Sequence, residues 1–155
     1  MKKKYKTYII AEIGNNHNGK YLIAKKSILA AAKAGASAVK FQSYSSKEFM
    51  SNKNLIYKYK TSKGYKKEKM YEMFCRLEFN KNWYPSLFQL CKKLKIDFLS
   101  SAADIEQIKI LKKIGCKTIK LASEDIINYP LLKYLSKINI KVILSTGMAD
   151  EGEIK

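Results

Sequence analysis

The 155-residue chain is 46% hydrophobic and carries 31 basic against 13 acidic side chains, a formal charge of +18. That length and composition describe one globular domain at most, large enough for a real core. No run approaches the roughly 18 consecutive apolar residues of a membrane-spanning helix.

The basic start Met1-Lys2-Lys3-Lys4-Tyr5-Lys6 is followed by a short apolar run that Glu12 interrupts, which is not a secretory signal. A cytoplasmic location with no membrane partner is the expectation. Cys75, Cys91 and Cys116 are odd in number and widely spaced, so free buried or semi-buried thiols are expected in place of a disulfide framework or a zinc site. The charge invites a nucleic-acid reading, but Arg76 is the only arginine. Base-edge and bidentate phosphate recognition favour arginine, so no specific nucleic-acid binding is expected, only polyanion stickiness at low salt.

In chain order, residues 7–14 read as a first strand of the doubly buried kind, and residues 15–20 as a turn. Residues 21–34 read as a helix with Ile23, Ala30, Ala31 and Ala34 on its apolar face and Gly35 as C-cap. Residues 37–43 form the second strand. Residues 44–78 have weak periodicity and read as a long loop with a short helix near Lys69–Leu77. Asn80 or Asn82 is placed to cap a helix over 83–94 with Trp83, Leu87, Leu90 and Leu94 on one stripe, and Pro85 suits its first turn. Strands then follow at 96–101, 118–122 and 141–145. Between them lie a helix that Asp104 opens and Gly115 ends, and another that Pro130 opens. The alternation describes about five βα units of an α/β protein.

Four of these strands carry polar groups near their C-terminal ends: Glu12 in the first, Lys40 and Gln42 in the second, Lys120 in the fourth and Ser145 in the fifth. Such groups gathered at strand ends are how α/β barrels build active sites. A lysine inside a buried strand is costly unless an anion or a carboxylate meets it.

The segments Ala11–Gly19, Ala34–Gln42, Phe98–Ser101, Ile119–Ser123 and Ile143–Met148 together resemble the sialic acid synthase family, in order and at compatible spacing. That family includes N-acetylneuraminate synthase and the legionaminate, pseudaminate and spore-coat polysaccharide enzymes. The resemblance implies a (β/α)8 TIM barrel, here its N-terminal part over residues 1–155. The implied reaction condenses phosphoenolpyruvate with an N-acetylated hexosamine such as N-acetylmannosamine, giving a nine-carbon 2-keto sugar acid and phosphate. It also implies a divalent metal, manganese or magnesium, held by histidines that lie beyond the matched region. A C-terminal antifreeze-like domain, absent here, belongs to the family pattern as well. The expectation is a fragment weakly active or inactive alone, working as a homo-oligomer or with a complementary C-terminal fragment. The alternatives are a phosphoenolpyruvate-binding module without catalysis and a basic polyanion-binding protein.

By the same resemblance, Lys40 and Lys120 are expected to grip the phosphate or carboxylate of phosphoenolpyruvate, with Ser101, Ser123 and Ser145 donating to the same anion. Lysines snorkelling or paired internally, and serines bonding backbone, are the alternatives. Glu12 is expected to contact the sugar and move a proton, or to pair with Lys40 or Lys120; both hold in an empty site. Gln42 and Asn15 are expected to line the sugar site, or to serve loop and turn geometry. His17, the only histidine, reads as structural. Two departures stand out. The family pattern has Gly where Glu124 follows Ser123, and a ring and a proline where Ala102 and Ala103 stand. Glu124 is expected to turn outward or to weaken anion binding.

Overall fold

Five of the strands among the described residues form one parallel sheet in the order β1-β2-β5-β6-β7. The computed structural model describes residues 7–62 and 64–155; the basic run 1–6 lies outside them. The sheet strands are β1 (Ile10–Gly14), β2 (Ala38–Ser43), β5 (Asp97–Ala102), β6 (Thr118–Leu121) and β7 (Lys141–Leu144). Helices α1 (Tyr21–Lys33), α4 (Tyr84–Leu94), α5 (Ile105–Lys113) and α6 (Tyr129–Leu135) connect them, and α7 (Glu151–Ile154) follows β7.

All four connecting helices bury their apolar stripes in a single core. Ala24 and Ile28 of α1, Leu87 and Cys91 of α4, Ile108 and Leu111 of α5, and Leu131 and Leu135 of α6 join Val39, Phe41, Phe98, Ile119 and Leu121 of the sheet. Those sheet residues alternate with Lys40, Gln42, Leu99 and Lys120, so they occupy one face and leave the other free of long helices. A sheet with helices on one face only is a segment of a barrel wall, whereas a doubly wound sheet is covered on both.

The local chemistry explains the boundaries. Asp104 caps α5 by accepting from the Gln107 N–H at 2.8 Å, Asn128 caps α6 through the Leu131 N–H at 3.3 Å, and Asn80 caps the 3-10 turn before α4 through the Asn82 N–H at 2.9 Å. Gly115 ends α5 at φ +93, a conformation that suits glycine.

Several expectations need correction. The first strand begins at Ile10, and Tyr8 and Ile9 before it are exposed. The buried face of α1 is Ala24 and Ile28, with Ala30 and Ala34 exposed. Burying one isoleucine is worth about 1.5–3 kcal/mol, more than alanines can contribute, so Ile28 sets the helix's rotation. In α4 the fully buried residues are Tyr84, Leu87 and Cys91, while Trp83 sits in the 3-10 turn. Cys75 is exposed, and Cys91 and Cys116 are buried.

The largest correction concerns residues 44–78. The short helix expected near Lys69–Leu77 is present as α3 (Met70–Leu77), but the stretch read as a loop holds α2 (Ser46–Phe49) and an antiparallel hairpin of β3 (Ile56–Thr61) and β4 (Gly64–Lys69). The hairpin's lysines and tyrosines bury little, so they leave no apolar alternation to read. What holds the ribbon is Glu68, which accepts from Arg76 in a two-pronged contact at 2.9 Å each, from Tyr59 at 2.5 Å and from Lys66 at 3.0 Å. These donors, Arg76 foremost, hold its carboxyl well below the usual range. α2 is tied separately, its Ser46 N–H and hydroxyl both donating to Glu78.

Candidate active site

The helix-free face of the sheet carries the charged row. Glu12 on β1 is the register partner of Lys40 on β2, and their side chains form an ion pair at 2.5 Å. Gln42 on β2 is paired with Ser101 on β5, and Ser101 with Lys120 on β6. The Lys120 ammonium donates to Ser145 just beyond β7 and to the Leu121 carbonyl. Side chains two apart on a strand share a face, so Glu12, Lys40, Gln42, Ser101, Lys120 and Ser145 cross five neighbouring strands on one surface.

Lys120 senses the charge of Lys40 across the row. Lys120 is pushed below the ordinary lysine value, first by burial and then by the charge of Lys40, while Asp125, Glu124 and Glu12 pull it back up. Two like charges on one half-buried surface are an arrangement that an incoming anion stabilises.

The chain between β1 and α1 frames the row's first end. A bulge between Glu12 and Gly14 shifts the register of β1 against β2, a device that re-aims side chains next to sites. Gly14 sits at φ +52, and a Cβ there would stand 3.1 Å from the Glu12 carboxylate and 3.8 Å from the Gln42 amide carbon. The positive φ favours glycine there, and a side chain would press on the Glu12 carboxylate while meeting Gln42 at ordinary contact distance. Asn15 follows in the turn, half-buried, with its Oδ1 buried and without a hydrogen-bond partner among the described residues.

His17 belongs elsewhere. It is fully buried against Phe41, Phe79 and Trp83, and its Nδ1 accepts from the Gly19 N–H at 3.1 Å. Burial pushes its pKa down, so the ring is a neutral packing element. Among the described residues no group of three or more His, Cys, Asp or Glu stands together. With the one imidazole turned into the aromatic core, these residues do not fit a divalent metal.

Beside the middle of the row, at the C-terminal ends of β2, β5 and β6, a cavity of about 180 Å³ opens between Gln42, Ser101, Tyr44, Phe49, Phe74 and Glu124. Glu124 is exposed at its mouth, while Asp125 is buried, accepting from the Ala122 N–H at 3.1 Å and from the Asn128 amide at 3.4 Å. Burial pushes the Asp125 carboxyl up. Ser123 stands at the start of the 3-10 turn above β6, one step past the row. Glu124, singled out above as a departure from the family pattern, lines the cavity, whereas Gly14 and Asp125 are site-lining positions that residue reading did not single out. The strand-end glycine and the paired acids after Ser123 were the available signals.

A parallel sheet clothed on one face, with a carboxylate, two ammoniums and hydroxyls crossing the other, is the setting for the comparison with known proteins. A model of the NeuB family matches residues 27–155. The chain belongs to the NeuB family. It is 43% identical over 150 residues to an N,N'-diacetyllegionaminic acid synthase of Campylobacter jejuni, covering 97% of this chain and 45% of that protein. It is 39% identical over 145 residues to an N-acetylneuraminate-9-phosphate synthase of Drosophila melanogaster, covering 91% and 38%. Among solved structures, an N-acetylneuraminic acid synthetase from Leptospira borgpetersenii superposes with a TM-score of 0.80 at 33% identity, over 97% of this chain and 48% of that one. The chain thus spans less than half the length of these NeuB relatives. Its five strands are a segment of their TIM-barrel-type fold, and its family is one of sugar-acid synthases. No helix among the described residues is long and apolar enough to cross a membrane.

Proposed function

We propose that this chain supplies the phosphoenolpyruvate-binding wall of a NeuB-type synthase, which joins phosphoenolpyruvate to an N-acetylated hexosamine and releases phosphate. The observation that carries this reading is the charged row itself, Glu12–Lys40 on two strands and Lys120–Ser145 on two others, on the one sheet face no long helix covers.

Phosphoenolpyruvate is compact and highly anionic, so its site needs converging cations and hydroxyl donors. In this reading Lys40 and Lys120 hold its phosphate and carboxylate, and Ser101, Ser123 and Ser145 donate to the same oxygens. Releasing Lys40 from Glu12 frees the carboxylate to meet the sugar and to carry a proton between the aldehyde oxygen and water. Gln42 and Asn15 hydrogen-bond the sugar. In the balanced reaction the methylene carbon of phosphoenolpyruvate bonds the aldehyde carbon, one water is consumed, and a 2-keto sugar acid and phosphate leave. A divalent metal, manganese or magnesium, would have to be held by residues other than those described, and would supply a Lewis acid for the aldehyde. Its ligands, the remaining strands and a second subunit are part of the same proposal for the whole protein, as is a cytoplasmic location.

Calorimetric titration of phosphoenolpyruvate tests the wall alone. The expected result is saturable binding that Lys40→Met or Lys120→Met weakens at least ~10-fold, the scale of one lost charged hydrogen bond. Undiminished binding in both variants refutes the reading. A phosphate-release assay with N-acetylmannosamine and manganese separates catalysis from a binding module: binding without release favours the module.

A further inference from the structure

The hairpin that the family site does not use has two unlike faces. In its ladder Tyr57 lies opposite Glu68 and Tyr59 opposite Lys66, and this face is turned to α3 through the Glu68–Arg76 contact. On the reverse face Ile56 lies opposite Lys69, Lys58 opposite Lys67, and Lys60 opposite Tyr65. All six are exposed, with Ile56 at 51% and Tyr65 at 72%, and the Lys58 ammonium stands 4.8 Å over the Tyr65 ring. Four ammonium groups therefore share this face with one aliphatic and one phenolic side chain; the ribbon's own residues bring no carboxylate to it, and Glu72 of α3 stands 4.0 Å from Lys69 at its edge.

Left to itself, this face is unfavourable. Like charges directly opposite in a ladder destabilise it, and a two-stranded ribbon is marginal in water to begin with. The single acid that steadies the ribbon, Glu68, is saturated on the other side by Arg76, Tyr59 and Lys66. Among the described residues only Lys69, at the edge next to α3, has a carboxylate partner, the exposed Glu72 at 4.0 Å; no ion pair forms at Lys58, Lys60 or Lys67.

We infer that the outer face of the β3–β4 ribbon, Lys58, Lys60, Lys67 and Lys69 with Ile56 and Tyr65, docks peripherally on an anionic phospholipid surface. The sequence reading expected no membrane partner, because it looked for a spanning segment. The chemistry selects this occupant. Lysines act as point charges toward phosphate and carry no base-reading fork. An exposed ribbon face with one aromatic is not the groove of stacked rings that holds a single nucleic-acid strand. Exposed tyrosine and isoleucine flanked by lysines match the layering of a bilayer interface, apolar below and anionic above.

The test uses the 155-residue chain and sedimentation with phosphatidylcholine vesicles, with and without roughly 30% phosphatidylserine, at about 0.1 M salt. Binding is expected only with the anionic lipid and is expected to fall steeply as salt rises. Each lysine at such a surface contributes roughly a 5-fold factor, so Lys58→Glu with Lys67→Glu is expected to weaken binding at least ~25-fold. Lys92→Glu with Lys93→Glu on the exposed side of α4 makes the same change in net charge and is expected to leave binding within about 3-fold. Lys58→Glu alone creates an opposite-charge pair with Lys67, so it weakens binding while keeping the ribbon folded, as circular dichroism and melting would register. Equal loss in both double variants overturns the inference in favour of bulk charge. So does an absence of vesicle binding, or tighter binding to a single-stranded oligonucleotide than to vesicles at the same salt.

Discussion

Gly19 is the point where the turn after β1 meets the far end of α3, and the cost of a methyl group there can be worked out. Its φ is +67, and a Cβ would lie 2.3 Å from the Arg76 carbonyl oxygen. An alanine at that φ carries about 1–2 kcal/mol of left-handed strain. Relieving the clash requires the carbonyl to retreat by about 1 Å, and overpacking of that kind adds about 1–3 kcal/mol. The sum for Gly19→Ala is about 2–5 kcal/mol, a fall in Tm of roughly 5–15 °C for a chain of this size. Gly35 supplies the control: its φ is +83, yet a Cβ there meets nothing within 4 Å. Gly35→Ala should therefore show the strain alone, about 1–2 kcal/mol. Thermal and urea unfolding of both variants measure the difference, which is the energy of the close approach. If Gly19→Ala were no worse than Gly35→Ala, the docking of the β1–α1 turn against α3 would be wrong as described.

Three further outcomes follow from the same geometry. His17 is pushed down by burial, so the unfolded chain binds its proton first; stability from this group is complete above pH 6.5 and is lost as pH falls toward the folded-state value, by at most about 1.4 kcal/mol per pH unit. Urea midpoints at pH 7 and 5.5 should show that loss, and it should be absent in His17→Phe. The Tyr84 hydroxyl donates to Gln107 at 3.2 Å and is hydrogen-bonded to the Ser43 hydroxyl, which is bonded in turn to Ser100 at 2.5 Å. Tyr84→Phe strands buried acceptors and should cost about 1–3 kcal/mol in urea unfolding; a neutral result would mean the hydroxyl chain is not closed. Glu124, exposed and among the charges that Lys120 senses, should oppose an incoming anion. Glu124→Gly should tighten phosphoenolpyruvate binding roughly 1.5- to 5-fold, as for a surface charge pair; unchanged or weaker binding would place the carboxylate outside the anion's field.

The lysines at the strand ends were visible in the chain because a charge inside an apolar run has few explanations. Lys40 and Lys120 share a face with Glu12, Ser101 and Ser145 as their alternation demands. Apart from the start of β1, three residues later than expected, the strand positions were legible within one residue, since near-continuous β-branched runs mark buried parallel strands. The hairpin was not legible, because its stability comes from one carboxylate with three partners and not from a buried stripe.

The sequence by itself determined the βα rhythm, the caps at Asp104 and Gly115, and which residues bring charge to the strand ends, because these depend on neighbours along the chain. The tertiary structure decided the rotation of α1 about Ile28, the closure of Glu12 and Gln42 over Gly14, and the burial of His17 among Phe41, Phe79 and Trp83. Each of these joins residues far apart in the chain, so its energy exists only after the sheet has set the register that brings them together.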